Sequence, residues 1–205
     1  MSNFYYTRPD NFPPVVKNLL IINVIIFLGQ IILEQQQIQL MAYGGLVNWK
    51  MEEFMPFQFV THMFMHGSLG HLFFNMFSLW MFGKILENYW GPKRFLLFYL
   101  LCGIAAAFAQ QIMGDFVVAV GASGAIMGLF AAFAFLFPNT ELYLMFIPIP
   151  VKAKWAVIGF AAIDLFSGVA KVSGDNVAHW AHLGGALAGI ITVYLWNKTK
   201  RDTFY

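Results

Sequence analysis

Apolar residues are concentrated in six runs that are separated by more polar connections. None of these runs alternates apolar and polar residues in the way that a membrane β-barrel requires. A helix that crosses a bilayer needs about 20 predominantly apolar residues, and the runs are close to that length. Because lipid offers the backbone no hydrogen-bonding partners, the runs are predicted to be helices. They cover residues 16–33, 67–87, 93–113, 121–138, 149–170 and 178–196.

The composition supports a membrane-embedded chain. Hydrophobic residues make up 60% of the 205 residues and charged residues 11%, whereas soluble domains carry about 25% charged residues. So little charge cannot cover a soluble surface, and a net charge of +2 gives no basic surface for nucleic acid. The composition therefore excludes a soluble enzyme and a nucleic-acid-binding protein. The predicted fold class is all-α, a polytopic membrane protein with six transmembrane helices.

Lysine and arginine indicate the orientation, because they are enriched on the cytoplasmic side of membrane proteins. With the N-terminus inside, ten of the twelve basic residues fall on cytoplasmic segments, and only Lys50 and Lys171 fall outside. We therefore predict that both termini are cytoplasmic. The expected organisation is a short N-terminal segment (1–16), a six-span domain (17–197) and a short tail (198–205).

Polar side chains inside the predicted spans are costly in lipid and mark candidate functional sites. In this orientation spans two, four and six run inward, and span five runs outward. Polar residues near the outer ends of these four spans share one depth, which predicts a single polar cavity below the outer surface. They are His66, His71 and Asn75 in span two, Ser123 in span four, Asp164 in span five, and His179 and His182 in span six.

Glycines offer a way to bring two of these groups together. Small residues at helical spacing let membrane helices approach closely, so spans four and six are predicted to place Ser123 beside His182. A serine next to a histidine is the minimal pair of nucleophile and base. The glycines are Gly121 and Gly124 beside the serine, and Gly185 and Gly189 after the histidine.

Span two and span four carry further groups that fit this chemistry. His71 and Asn75 are four residues apart and therefore lie on one helix face. Together with the backbone amide of Ser123, they could donate hydrogen bonds to a developing oxyanion. Met127 lies four residues after Ser123, on the same face, and is expected to pack beneath the serine and the histidine.

Two other assignments compete for the same residues. The histidines could bind a metal or a haem, but the H-E-x-x-H pattern of zinc proteases is missing and a metal leaves the glycine-flanked serine unexplained. We therefore expect no metal and no cofactor. Asp164 could complete a Ser–His–Asp triad, but its spacing does not direct it to His182, and we expect a structural cap near the outer end of span five. His179 is expected at the membrane interface.

Three short motifs lie in spans two, four and six, in that order. They are His66-x4-His71-x3-Asn75, Gly121-x-Ser123-Gly124 and Ala181-His182-x-x-Gly185. The three motifs resemble HxxxxHxxxN, GxSG and AHxxG of the rhomboid family of intramembrane serine proteases. The resemblance covers residues 17–197. It implies a six-span enzyme of the bacterial type, in the inner membrane, with its active site toward the outer side.

The resemblance implies a role for each catalytic group. Ser123 would be the nucleophile and His182 the general base of a dyad that has no acid. His71, Asn75 and the backbone amide of Ser123 would form the oxyanion hole. The implied reaction is cleavage of a transmembrane segment of another membrane protein, near its outer end, without a cofactor.

Outside the catalytic groups, the resemblance implies a buried structural glutamate at Glu87 and a gate between spans two and five at Phe74 and Phe166. The position of Met127 is often tyrosine in the family. Two other functions stay open at this point. One is an inactive rhomboid-like protein that binds membrane clients, and the other is a small proton-coupled transporter that uses the histidines as a proton relay.

Overall fold

The chain is a bundle of long helices with short elements between them. The computed structural model describes residues 9–36, 39–114, 118–143, 149–170, 175 and 177–201, so Lys171, residues 1–8 and residues 202–205 lie outside the described residues. The elements are α1 (Pro14–Gln35), α2 (Leu40–Gly44), α3 (Gln58–Thr61) followed by a 3₁₀ turn (His62–Phe64), α4 (Leu69–Trp90), α5 (Pro92–Met113), α6 (Ser123–Leu136), β1 (Glu141–Tyr143), β2 (Pro150–Lys152), α7 (Ala153–Ala170) and α8 (His179–Arg201).

One helix lies in or overlaps each of the six apolar runs, and the described residues are mostly helical (74%), as predicted. Four of these helices, α1, α4, α5 and α7, are long and apolar enough to cross a bilayer. α6 has only 14 residues, which corresponds to a length of about 21 Å. α8 is long, but histidines and glycines lower its hydropathy. Six spans and cytoplasmic termini therefore remain predictions.

A small hairpin departs from the predicted all-α class. The three-residue strands β1 and β2 pair in antiparallel fashion between α6 and α7, with Leu142 opposite Val151. Pro150 fits there because a two-stranded sheet has only edge strands, where a missing N–H group is tolerated. The sequence does not predict the hairpin, because three residues are too few to show a readable alternation.

In the middle of α1 the polar side chains face the bundle and large aliphatic side chains cover the outer surface, as expected for a helix in lipid. Asn23 and Gln30 are buried, and their side-chain amides donate to the carbonyl oxygens of Leu19 (2.8 Å) and His66 (3.1 Å). Seven large aliphatic side chains of the same helix are exposed: Ile21, Ile22, Val24, Ile25, Leu28, Ile31 and Ile32. An apolar exterior with hydrogen-bonded polar groups inside is the arrangement that lipid favours.

α6 lies at the centre of the bundle and packs against α4, α5, α7 and α8. Four glycines lie along its contact with α8 and are here called the glycine seam: Gly124 and Gly128 on α6, and Gly185 and Gly189 on α8. A Cβ atom at Gly189 would lie 2.5 Å from the carbonyl oxygen of Gly128, and one at Gly185 would overlap the carbonyl oxygen of Gly124. Only glycine allows this approach, so the glycine seam fixes the register of the two helices.

Glu87, near the end of α4, holds the start of α1. Its two carboxylate oxygens accept hydrogen bonds from the backbone N–H groups of Val15 (2.9 Å) and Val16 (2.7 Å). The N-cap residue of α1, Pro13, makes no side-chain hydrogen bond. Glu87 therefore supplies both the acceptors and the negative charge that a helix N-terminus favours.

Replacing Glu87 by glutamine is expected to lower stability. Glutamine keeps one acceptor but presents an N–H group to a backbone donor, and it removes the charge. Hydrogen bonds to charged groups contribute about 1.5–3 kcal/mol each, so Glu87→Gln should lower the melting temperature of the purified protein measured in detergent. Glu34→Gln, at an exposed position of α1, is the control. Equal melting temperatures for Glu87→Gln and the wild type would contradict this role.

Candidate active site

A cavity of about 1020 Å³ opens between α4, α6, α7 and α8. Polar residues of all four helices line it, although the helices are apolar. Of the polar residues predicted to share one cavity, His66 is the one that is not part of the lining. The lining includes His71, Phe74 and Asn75 of α4, Ser123 and Met127 of α6, Asp164 of α7, and His179 and His182 of α8.

Ser123 and His182 meet on one wall of the cavity. The hydroxyl oxygen of Ser123 lies 2.8 Å from Nε2 of His182. Ser123 is the first residue of α6, and His182 lies in the first turn of α8. The glycine seam begins next to both residues, because Gly124 contacts Gly185 across the two helices. Close packing of α6 and α8 is therefore what brings the hydroxyl to the imidazole.

Gly121 shapes the turn that leads into α6. Its φ angle is +117°, a conformation that residues with a side chain rarely adopt. A Cβ atom there would also lie 2.6 Å from Nε2 of His71. The N–H group of Gly121 donates to the carbonyl oxygen of His62 at 2.8 Å. The turn is thus held from one side by the segment after α3 and leaves room on the other for His71.

His71 and Asn75 lie on the α4 side of this turn. The backbone N–H of His71 donates to the hydroxyl of Ser68, which caps α4 (3.1 Å), and the side-chain amide of Asn75 donates to the carbonyl oxygen of His71 (2.9 Å). A Cβ atom at Gly121 would lie 3.8 Å from Nδ2 of Asn75. Both side chains therefore face the turn that carries Ser123.

Asp164 does not have the expected position of an end cap. It lies in the interior of α7, and its Oδ1 atom is 3.1 Å from Nδ1 of His182. The same oxygen is 2.7 Å from Nδ1 of His179. No spacing along the chain relates α7 to α8, because the two helices are placed side by side only by tertiary packing.

His179, which is predicted to lie at the membrane interface, has hydrogen-bonding partners on both of its ring nitrogens. Its Nδ1 faces Asp164, and its Nε2 lies 2.9 Å from Oδ2 of Asp175. Asp175 precedes α8, and its hydrogen bond with His179 lowers the pKa of the Asp175 carboxyl group. The sequence does carry a signal that His179 belongs to the site. His179 and His182 are three residues apart and therefore lie on one face of α8.

The residues of the implied gate have different surroundings. Phe74 of α4 lines the cavity and is 49% exposed, whereas Phe166 of α7 is 71% exposed and is not part of the lining. α7 contributes Phe160, Ile163 and Asp164 to the cavity instead. Met127 is half-buried and also lines the cavity.

One group of side chains in the described ranges has the composition of a metal site. Asp164, His179 and His182 have ligand atoms within 4.8 Å of one another, but these atoms are already joined by hydrogen bonds. His62 is apart from them, with its Nδ1 2.8 Å from the carbonyl oxygen of Gln58, and burial lowers the pKa of His62 to about 4. His66 is buried and its ring stacks edge-on against His71.

The fold and the cavity define a class: a helical membrane protein with a serine–histidine pair in a polar cavity. The family model described as the Rhomboid domain matches residues 53–198, which include all three motifs. The chain therefore belongs to the rhomboid family, as the motifs predict, and is an integral membrane protein.

Individual relatives agree with this assignment. Rhomboid-like protein 11, chloroplastic, of Arabidopsis thaliana is 30% identical over 202 residues, which covers 88% of this chain and 64% of the relative. Rhomboid protease GluP of Bacillus subtilis (strain 168) is 30% identical over 166 residues, 80% of this chain and 31% of the relative. Presenilin-associated rhomboid-like protein, mitochondrial, of Homo sapiens is 34% identical over 132 residues, 62% of this chain and 34% of the relative.

These relatives differ from this chain in length and in location. The chain spans between 31% and 64% of their lengths. Their names place them in chloroplasts and mitochondria as well as in a bacterium. A bacterial inner membrane therefore stays a prediction for this chain.

Proposed function

We propose that this chain is an intramembrane serine endopeptidase that cleaves transmembrane segments of membrane proteins near their outer end. The observation that carries the proposal is the distance of 2.8 Å between the Ser123 hydroxyl oxygen and Nε2 of His182 inside a polar cavity. A nucleophile and a base within hydrogen-bonding distance are the minimal requirement for acyl transfer.

In the proposed reaction, the Ser123 oxygen attacks the carbonyl carbon of the scissile bond while its proton moves to Nε2 of His182. The tetrahedral intermediate collapses, the C–N bond breaks, and His182 gives the proton to the leaving amine. This leaves an ester between Ser123 and the N-terminal part of the substrate. Water then attacks the ester, with His182 again as the base. The C–O bond to Ser123 breaks, His182 returns the proton to the serine oxygen, and the carboxylic acid product is released.

The oxyanion that forms in each step needs hydrogen-bond donors. The backbone amide of Ser123 is at the N-terminus of α6, where N–H groups are free of intrahelical partners and the helix dipole favours negative charge. His71 and Asn75 face the same turn from α4. We assign these three groups to the oxyanion hole, because donors aimed at developing charge are the strongest single contribution to such reactions.

Substrate would reach the cavity from the lipid, between α4 and α7. α4 packs mainly on α1, α5 and α6, and α7 packs mainly on α8 and α6, so these two helices do not depend on each other for their main packing. Phe74 and Phe166 are exposed on their surfaces and would be the gate residues. The expected partners are the bilayer and membrane proteins that present a transmembrane segment. We place the cavity on the outer side of a bacterial inner membrane.

The function is tested with the purified full chain reconstituted in lipid vesicles. We expect cleavage of a reporter protein with one transmembrane segment, and covalent labelling of Ser123 by a fluorophosphonate, mapped by mass spectrometry. A chelator should leave the cleavage rate unchanged, because the proposed reaction uses no metal. Binding of the reporter without cleavage or labelling would indicate an inactive client-binding protein, and proton-coupled flux without cleavage would indicate a transporter.

Replacing Asn75 by alanine is expected to slow cleavage without abolishing it. The loss of one oxyanion donor typically lowers kcat by about 10²–10³-fold, while His71 and the Ser123 amide remain. Turnover of the reporter measures the effect, and labelling of Ser123 by the fluorophosphonate shows that the serine is still reactive. An unchanged kcat in Asn75→Ala would show that Asn75 does not contribute to the oxyanion hole.

A further inference from the structure

A branched network of hydrogen bonds extends behind the serine–histidine pair. Oδ1 of Asp164 lies 3.1 Å from Nδ1 of His182 and 2.7 Å from Nδ1 of His179. Nε2 of His179 continues the network to Oδ2 of Asp175 at 2.9 Å. Two imidazoles thus share one carboxylate oxygen, and the branch through His182 ends at the hydroxyl of Ser123 at 2.8 Å.

From this geometry we propose that Asp164 is a positioning residue for the reaction, so that the active site is a triad rather than a dyad. The inference rests on the proposed function and deepens it. A carboxylate oxygen can only accept, so both Nδ1 atoms that face Asp164 carry protons. With its proton on Nδ1, His182 presents an unprotonated Nε2 to the Ser123 hydroxyl, which is the tautomer that a general base needs.

The Asp164 carboxylate also stabilises the positive charge that forms on His182 during the reaction. When His182 takes the proton of Ser123, it becomes a cation, while the proton on Nδ1 stays in place. Asp164 is 6% exposed, and in such surroundings a neighbouring negative charge stabilises a cation more than it would in water. The carboxylate does not itself become protonated; it holds the ring in position and stabilises the imidazolium.

His179 supports this arrangement and provides an internal control. It is the closer partner of Asp164, and both of its ring nitrogens face carboxylates, Asp164 and Asp175. If Asp164 only held α7 against α8, the loss of His179 would lower kcat at least as much as the loss of the Asp164 charge. If Asp164 positions His182, the loss of the Asp164 charge lowers kcat far more than the loss of His179 does, because the contact between Asp164 and His182 survives the removal of His179.

Three variants of the full chain in vesicles test the proposal. We expect Asp164→Asn to lower kcat for the reporter by about 10²–10⁴-fold with KM unchanged, because its amide can donate to Nδ1 and move the His182 proton to Nε2. Asp164→Glu should recover part of the rate. His179→Gln should lower kcat by a clearly smaller factor than Asp164→Asn. Equal losses for Asp164→Asn and His179→Gln, or a changed KM with kcat unchanged, would overturn the proposal.

A spectroscopic measurement separates this proposal from the proposed function. Nitrogen NMR of protein labelled with ¹⁵N-histidine reports which ring nitrogen of His182 carries the proton, whether or not the chain cleaves anything. We expect the Nδ1-protonated form in the wild type and its loss in Asp164→Asn. A wild type with that tautomer but no cleavage would overturn the proposed function alone, and an identical tautomer in Asp164→Asn would overturn the positioning role alone.

Discussion

Replacing Ser123 by alanine is expected to abolish cleavage of the transmembrane reporter and labelling by the fluorophosphonate. The hydroxyl is the group that would form the acyl-enzyme, and it lies 2.8 Å from the base His182. In serine proteases the loss of the nucleophile lowers kcat by more than about 10³-fold. Cleavage products separated by electrophoresis, from wild type and variant vesicles with equal protein content, measure the effect.

The fold should survive this substitution, which allows a clean comparison. Ser123 begins α6, and its side chain does not cap the helix, so alanine removes a hydroxyl whose described contact is the one with His182. The melting temperature should therefore match the wild type. Thr192→Val, which removes a hydroxyl from a buried position further along α8, is the matched control and should cleave normally. Persistent cleavage by Ser123→Ala would contradict the proposed mechanism.

The helices were predictable from the sequence because lipid imposes a simple rule on the chain. An apolar run of about 20 residues has to satisfy its own backbone, and only a helix does so within one segment. The rule says less about α6, whose 14 residues are short for a span. Its apolar run extends on both sides into a turn at Gly121 and a bend near Phe137, where the chain leaves the helix.

The approach of Ser123 to His182 was also predictable, because glycine spacing on a helix is local information. The relation of Asp164 to His182 was not, since it depends on how α7 lies against α8. No residue pattern in the sequence specifies that packing. The same holds for the hydrogen bond between Gly121 and the carbonyl oxygen of His62, which joins two segments far apart in the chain. Resemblance to the family, rather than spacing, indicated the buried Glu87.

The glycine seam holds α6 against α8 and also places Ser123 beside His182. A substitution there is therefore expected to lower both stability and cleavage. A Cβ atom at Gly185 would overlap the carbonyl oxygen of Gly124, and its next neighbours are also backbone atoms of Gly124. Backbone cannot move aside as a flexible side chain can, so Gly185→Ala must push α8 away from α6. Overpacking in a well-packed core costs about 1–3 kcal/mol, and a backbone clash should lie at the upper end of that range.

Gly185→Ala should therefore lower the melting temperature in detergent and also lower cleavage, because separation of the two helices lengthens the contact between Ser123 and His182. Gly29→Ala in α1 and Gly159→Ala in α7 are matched controls, since a Cβ atom at either position has nothing within 4 Å. Both controls replace glycine by a better helix former and should keep or slightly raise stability. If Gly185→Ala behaved like these two controls in both measurements, close packing along the glycine seam would not be what holds the serine against the histidine.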